Sequence, residues 1–451
     1  MKIKLRISPY AYPILFFAGA ILVGAFCLHC NFSLRHNSIS WIDSLFTATS
    51  ATCVTGLAVV DTGTYFSTIG QIIILCLIQV GGLGIMTITS LIFYLWSKKI
   101  SLTDKIAVGQ GLLHDPTFSL GNFLINIVTM AFTIEALGAL FLYILSPQKV
   151  GLFSSLFHSI SAFCNAGFSL YENSLMDFKD NLGVNLVIMI LIILGGLGFS
   201  VLQELIIYFK HKINHKRYVL SWHTNVVLST TAYLILFGSL FIFLGEYVFG
   251  PGKETPLGES ILVSLFQAVT CRTAGFNTVD IAYMTNVSLC IMILLMFIGG
   301  GPGSCAGGIK VTTFRVLWAY IKGQIFIKGK QAVIGRFAAK EEDLNKAVIL
   351  FVFSCILISI GILILNITEG GEAPHIYSRG IFLSIAFEVV SAFGTVGLST
   401  GLTPHLTFVG KCVVICLMFI GRLGPIIFLS LIQHIQEEPR FAWPKENILI
   451  G

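Results

Sequence analysis

The chain has 451 residues, 55% of them hydrophobic and only 11% charged, with a mean hydropathy of +0.87 and a formal net charge of +6. Soluble domains carry about twice that share of charge, so a water-soluble enzyme or a nucleic-acid-binding domain is excluded. The composition is that of a polytopic membrane protein, and topology is the first place to look for the origin of the positive excess.

Lys2, Lys4 and Arg6 precede an apolar run at 10–28. This has the outline of a signal sequence, but no small-x-small cleavage site follows, and a retained first helix is expected. Counting apolar runs of about 20 residues gives eight spans, near 10–30, 70–96, 122–146, 184–209, 225–249, 286–309, 346–366 and 408–433. Between the members of each successive pair lies a shorter segment closed by a glycine. The four read SLFTATSATCVTGL from Ser44, SLFHSISAFCNAGF from Ser155, SLFQAVTCRTAGF from Ser264 and SIAFEVVSAFGTVGL from Ser384. Their closing glycines, Gly56, Gly167, Gly275 and Gly397, are spaced 111, 108 and 122 residues apart, too far for a solenoid repeat. Each segment is too short to cross a bilayer of about 30 Å and too apolar for a wet loop. At membrane depth it must be re-entrant and shielded by protein around a water-filled path. The expected fold is an all-α polytopic membrane protein of four helix–pore loop–helix repeats, with eight transmembrane helices and four re-entrant pore helices arranged pseudo-four-fold around one pore. Residues 1–451 form one transmembrane domain, with repeats at about 8–100, 120–212, 222–320 and 344–436 and a cytoplasmic tail at 437–451.

Charge placement sets the orientation. With both termini inside, the segments 1–9, 97–121, 210–224, 310–346 and 434–451 hold 20 of the 28 Lys and Arg residues. The outer segments hold seven, Arg272 among them, and Arg422 lies within the last span. That is a positive-inside bias. Acids such as Asp61, Asp177, Glu254 and Asp280 fall outside, where they would concentrate cations at a mouth. The eleven cysteines are scattered through apolar spans as small hydrophobes. Cys27-x-x-Cys30 has no matching pair that would make a metal site.

The residues before the closing glycines are Val54-Thr55, Asn165-Ala166, Thr273-Ala274 and Thr395-Val396. None is an acid or a base, so selection here falls to backbone carbonyls rather than to a ring of charges. Glycine tolerates the positive φ that turns such carbonyls toward one axis. The C-terminal ends of the preceding short helices favour a cation there. The alternative is four glycine-terminated re-entrant turns with no conducting role. A second glycine feature follows in phase. Gly81-Gly82-Leu83-Gly84 and Gly195-Gly196-Leu197-Gly198 read as helix-packing surfaces. The third copy, Gly299-Gly300-Gly301-Pro302-Gly303-Ser304, runs on through Gly307 and Gly308 to Lys310 and cannot hold a continuous helix. It is expected as an irregular gating loop under the filter. A phosphate-binding reading fails, because Ile309 separates Gly308 from Lys310 and no strand precedes it. In the fourth copy, Arg422 must face water or a partner, since burying it unpaired costs at least about 2.5 kcal/mol. It reads either as a charge in the path or as a buried group bonded to an acid or to loop carbonyls. Glu135 reads as a helix–helix hydrogen bond, and Asp43 and Glu388 as supports behind the filter.

The segments TCVTGLAVVDTGTYFSTIGQ, CNAGFS, CRTAGFNTVD and FGTVGLST, set in four such units, resemble the Trk/Ktr/HKT superfamily of potassium transporters over essentially the whole chain. Within it the chain is most similar to the KtrB type, the ion-translocating subunits of bacterial Ktr systems. TrkH-type chains, which usually carry extra N-terminal spans, and sodium-permeable relatives are the alternatives. The resemblance implies potassium uptake across the bacterial plasma membrane, with no enzymatic activity and no covalently bound cofactor. It implies a filter at Val54, Thr55, Gly56, Asn165, Ala166, Gly167, Thr273, Ala274, Gly275, Thr395, Val396 and Gly397. Glycine in all four copies goes with potassium, whereas some plant relatives with serine in the first are sodium-selective. It implies a gate formed by the glycine-rich loop and a pore-facing Arg422. It also implies a homodimer, a cytosolic KtrA-type nucleotide-binding regulatory subunit and sodium as an activating ion. The basic inner loop at 315–346 is where that regulator would dock; read alone, it anchors to lipid headgroups.

Overall fold

A computed structural model describes residues 11–35, 38–84, 120–147, 149–327, 332–371, 374 and 380–424. The N-terminal basic segment, nearly all of the inner segment 97–121 and the tail 437–451 lie outside the described residues.

Each repeat is built from a helix, a buried short helix and a second helix. The first has α1 (Ala11–His29), α2 (Trp41–Thr52) and α3 (Thr68–Gly82). The second has α4 (Leu120–Leu145), α5 (Leu152–Phe163) and α6 (Leu182–Leu197), followed by α7 (Phe199–Ile213). The third has α8 (Trp222–Phe243), α9 (Leu257–Thr270) and α10 (Asn286–Phe297), followed by α11 (Val311–Lys322). The fourth has α12 (Glu341–Thr368), α13 (Ile381–Gly394) and α14 (Phe408–Leu423).

The sequence starts every second helix in the same way. Ser67, Asn181, Thr285 and Thr407 each accept a hydrogen bond from the amide three residues on, satisfying one of the donors that a helix N-terminus leaves free. In the third and fourth repeats a carboxylate fixes the cap in turn. Glu246 accepts from the Thr285 amide and hydroxyl at 2.7 Å, and Glu369 accepts from those of Thr407 at 3.1 and 2.6 Å.

Packing joins the repeats into a cycle. Helix α3 packs on α5, α6 on α9, α10 on α13, and α14 returns to α2. The short helices are buried along most of their length, whereas the first helices turn Leu137, Leu140, Leu236 and Leu363 outward. Between repeats, Lys411 pairs with Asp43 at 2.6 Å and Lys179 with Glu259 at 3.0 Å.

Among the described residues, Leu124–Leu145, Trp222–Val248 and Glu341–Thr368 are long and apolar enough to cross a membrane unaided. The sequence suggests a continuous span at 184–209, but the chain breaks there. Gly198 takes φ 100°, and α6 and α7 meet at a bend of 108°. The span expected at 286–309 likewise stops at Phe297 and resumes as α11. Those at 70–96 and 408–433 are described only as far as Gly84 and Gly424. A short hairpin, β1 (Val333–Ile334) with β2 (Phe337–Ala338), lies between α11 and α12 and accepts the Trp222 indole on the Ile334 carbonyl at 3.1 Å.

Candidate functional site

The four short helices end in the same backbone turn. The residue two before each closing glycine is left-handed: Val54 at φ 55°, Asn165 at 60°, Thr273 at 68° and Thr395 at 51°. The glycines follow at φ 95°, 69°, 81° and 94°. A non-glycine residue in that region costs on the order of 1–2 kcal/mol, so four in register require surroundings that over-determine them. Part of that support is local. The amides of Thr55, Ala166 and Val396 reach back to the carbonyls of Ser50, Ser161 and Ser391 at 2.8, 2.7 and 2.8 Å, and Ala274 to Thr270 at 2.9 Å. The hydroxyls of these anchors close the turn from the other side. Those of Ser50 and Ser391 accept from the Gly56 and Gly397 amides at 3.1 Å. Those of Ser161 and Thr270 donate to the Phe168 and Phe276 carbonyls at 2.8 and 2.6 Å.

The glycines themselves form a circuit. A Cβ added to Gly56 would sit 2.5 Å from the Ala166 carbonyl oxygen and 3.0 Å from the Gly167 Cα. One on Gly167 would sit 2.8 Å from the Ala274 oxygen and 2.9 Å from the Gly275 Cα. One on Gly275 would fall on the Val396 oxygen, 3.2 Å from the Gly397 Cα, and one on Gly397 on the Thr55 oxygen, 3.0 Å from the Gly56 Cα. The carbonyl just before each glycine therefore lies against the glycine of a neighbouring repeat, and the fourth contact returns to the first. The side chains of Val54, Thr55, Asn165, Ala166, Thr273, Ala274, Thr395 and Val396 are all buried around this circuit.

The glycine-rich stretch 299–310 lies directly against it. A Cβ on Gly307 would fall on the Thr395 side chain, and one on Gly299 would come 3.5 Å from that of Thr273. The stretch is closed at its root by Gly299 N–H to the Ile309 carbonyl at 2.8 Å and Val311 N–H to the Gly300 carbonyl at 3.0 Å. The broken helix of the second repeat satisfies much of the rest. The Gly198 bend frees the Gly196 and Gly195 carbonyls, which accept from the amides of Gly301 at 2.8 Å and Cys305 at 3.1 Å. Phe199 N–H donates in return to the Gly303 carbonyl at 3.0 Å. Two irregular backbones thus pair with each other, which satisfies polar groups that no regular helix ladder serves. Pro302, Gly303 and Ser304 form the less buried tip.

Three cations hold this stretch through its carbonyls. Lys310 Nζ donates to Ala306 at 2.6 Å. Arg422 donates to the Cys305 carbonyl and also to that of Gly81 in the first repeat. Arg272 Nη2 donates to the Gly299 carbonyl at 3.0 Å. Charge counting along the sequence puts Arg272 in an outer segment; its side chain is buried behind the turn at Thr273, with the residue only 6% exposed. A comparison of repeats contains the clue, because Arg272 takes the place held by Cys53, Cys164 and Gly394 in the other copies.

Around this centre, Glu135 accepts from Gln79 Nε2 at 2.6 Å and joins the first two repeats. Asp43 is the partner of Lys411. Glu388 accepts from the Ser399 hydroxyl, the Thr400 amide at 3.2 Å and the Thr403 hydroxyl at 2.8 Å, which fixes the chain beyond Gly397. Glu388→Ala leaves these donors unpaired in a buried site, and each unsatisfied buried donor costs about 1–3 kcal/mol. A fall in melting temperature in detergent is the expected result, with Glu388→Gln falling less; a wild-type melting curve for the alanine variant would count against this role.

The family described as cation transport protein, TrkH, matches residues 20–440. The Ktr system potassium uptake protein B of Bacillus subtilis is 44% identical over 457 residues, covering 99% of this chain and 97% of that protein. The potassium/sodium uptake protein NtpJ of Enterococcus hirae is 35% identical, covering 100% of this chain and 99% of its own. The Ktr system potassium uptake protein B of Vibrio alginolyticus is 36% identical over 97% of this chain and 94% of its own. In three dimensions, the crystal structure of the potassium transporter TrkH from Vibrio parahaemolyticus superposes with a TM-score of 0.74 at 18% identity, over 96% of this chain and 86% of that one. The fold is that of a helical membrane transporter. The chain belongs to the TrkH family of cation transport proteins.

Proposed function

We propose that this chain carries potassium ions across a bacterial plasma membrane as the ion-translocating subunit of a Ktr-type uptake system. Its four repeats stand pseudo-four-fold around one pore, with both termini on the cytoplasmic side. The observation that carries the reading is the closed circuit of Gly56, Gly167, Gly275 and Gly397 with the carbonyls of Thr55, Ala166, Ala274 and Val396. An uncharged ring of carbonyl dipoles can replace the hydration shell of a cation, and the C-terminal ends of four short helices add to its negative potential. The relatives named as potassium uptake proteins support the choice of ion.

In this reading the stretch 299–310 and Arg422 form the gate, because the loop lies against Thr273 and Thr395 while Arg422 grips its Cys305 carbonyl. Entry is driven by the membrane potential, worth about 2.3 kcal/mol per charge per 100 mV, with no chemistry performed by the chain. A KtrA-type nucleotide-binding subunit regulates it from the cytosolic face, and two copies of the chain form the dimer. Sodium is the second reading, as an activating ion or a permeant one, and the name of the Enterococcus relative supports it.

The test is uptake of rubidium and sodium into cells lacking their own potassium uptake, with and without a KtrA-type subunit. Rubidium uptake exceeding sodium by about tenfold, a difference of about 1.4 kcal/mol, is the expected result. Equal fluxes would overturn the potassium assignment in favour of a sodium-permeable carrier.

A further inference from the structure

Three residues before each filter glycine stand Cys53, Cys164, Arg272 and Gly394. In the repeats with a small residue there, the second helix closes directly onto the short helix. Gly81, Gly195 and Gly421 lie against the carbonyls of Thr52, Phe163 and Phe393, each one residue earlier. A Cβ on any of these three glycines would overlap that oxygen, so the contact is backbone on backbone.

The third repeat lacks this contact. Helix α10 has already ended at Phe297, and the glycine in phase, Gly299, touches the Gly307 carbonyl of its own loop instead. Arg272 spans the opening and donates to the Gly299 carbonyl at 3.0 Å. Its other terminal nitrogen, Nη1, is buried with no hydrogen-bond partner among the described residues, beside a narrow void lined by Ile192, Ile193, Gly196, Thr231 and Val269. Neither ion pair found among the described residues involves it. A guanidinium buried without a carboxylate depends heavily on the acceptor it has.

We propose that Arg272 is a positioning residue that ties the third filter turn to the root of the glycine-rich loop. Its backbone immediately precedes Thr273 and Ala274, while its side chain holds Gly299, so neither can move without the other. Withdrawing the root would strand a buried charge. The root therefore stays with the filter, and loop movement is confined to 302–308, whose tip is the less buried part. Arg272 touches no ion and acts through the placement of the Ala274 carbonyl. The inference rests on the ion-pathway reading above.

The test uses full-length protein in liposomes, with Arg272→Gln, Arg272→Lys and the exposed control Lys253→Ala, reading the rubidium-to-sodium uptake ratio. Arg272→Gln is expected to lower the ratio by about fivefold or more. Arg272→Lys, which keeps the charge and a donor group but not the fork, recovers part of it, and Lys253→Ala keeps the wild-type ratio. A residue needed only for folding would lower both fluxes together and leave the ratio unchanged, and that outcome overturns the proposal. If Arg272→Gln yields no protein, the ratio of Arg272→Lys decides: a lowered ratio supports the coupling and a wild-type ratio overturns it. A wild type that does not prefer rubidium overturns the pathway reading and this inference with it. A selective wild type with unchanged variants overturns this inference alone.

Discussion

Serine at Gly56 or Gly397 is expected to abolish the preference for potassium over sodium while the protein still folds and inserts. Both glycines hold φ near 95°, at 95° and 94°, where a side chain is strained whatever the available space. Space is also lacking. A Cβ on Gly56 would press on the Ala166 carbonyl, and one on Gly397 on that of Thr55. These are two of the four oxygens that the proposed filter presents to an ion. A displaced turn moves the oxygens off their circuit, and a differential loss of about 1.4 kcal/mol between the two ions is already tenfold in preference. The rubidium-to-sodium uptake ratio should therefore fall at least that far in either variant. Gly19→Ser in α1 is the matched control, because a Cβ there meets nothing within 4 Å. Wild-type ratios in both filter variants would remove these glycines from the selective path.

Much of this centre is legible in the sequence because it is repeated. One glycine per repeat, in phase with the apolar runs, marks the four turns, and their uncharged neighbours point to carbonyls. Proline and glycine at 299–310 mark the break in the third second-helix. The break at Gly198 is harder to see, since Gly81-Gly82-Leu83-Gly84 carries the same pattern as Gly195-Gly196-Leu197-Gly198. The glycine at the same place in the first copy, Gly84, also takes a positive φ, of 83°, and what the second copy adds is tertiary. The Gly195 and Gly196 carbonyls take amides from the loop more than a hundred residues away, and that exchange satisfies groups that a bend of 108° leaves free. Arg272 is obscured for a related reason. Charge statistics assign a side chain by its place along the chain, whereas its position is set by the acceptor at Gly299. Gly195 itself does act as a packing surface, against the Phe163 carbonyl, so one short motif serves two purposes three residues apart.

Neutralising Arg422 is expected to raise the rate of uptake and weaken its dependence on a cytosolic regulator, with the ion preference unchanged. From the end of α14 in the fourth repeat, Arg422 donates to Cys305 in the loop of the third repeat and to Gly81 at the end of α3 in the first. One guanidinium thus clasps three repeats at the glycine-rich loop. Cys305 strengthens the clasp, its thiol donating to the Gly82 carbonyl at 3.1 Å. Hydrogen bonds from a charged donor contribute about 1.5–3 kcal/mol each, so losing even the weaker of the two shifts a closed–open balance by roughly tenfold. Removing the positive charge also lowers the electrostatic barrier to a passing cation. Arg422→Gln should therefore take up rubidium about tenfold faster than wild type in the absence of regulator, by the same free-energy conversion. Arg422→Lys keeps the charge but lacks the fork needed to hold two carbonyls at once, and its rate should fall between the two. The rubidium-to-sodium ratio stays at the wild-type value in both, because Arg422 bonds to none of the circuit carbonyls, whose turns are braced by Ser50, Ser161, Thr270 and Ser391. An Arg422→Gln protein that is present in the membrane yet slower than wild type would show that the arginine serves conduction rather than closure.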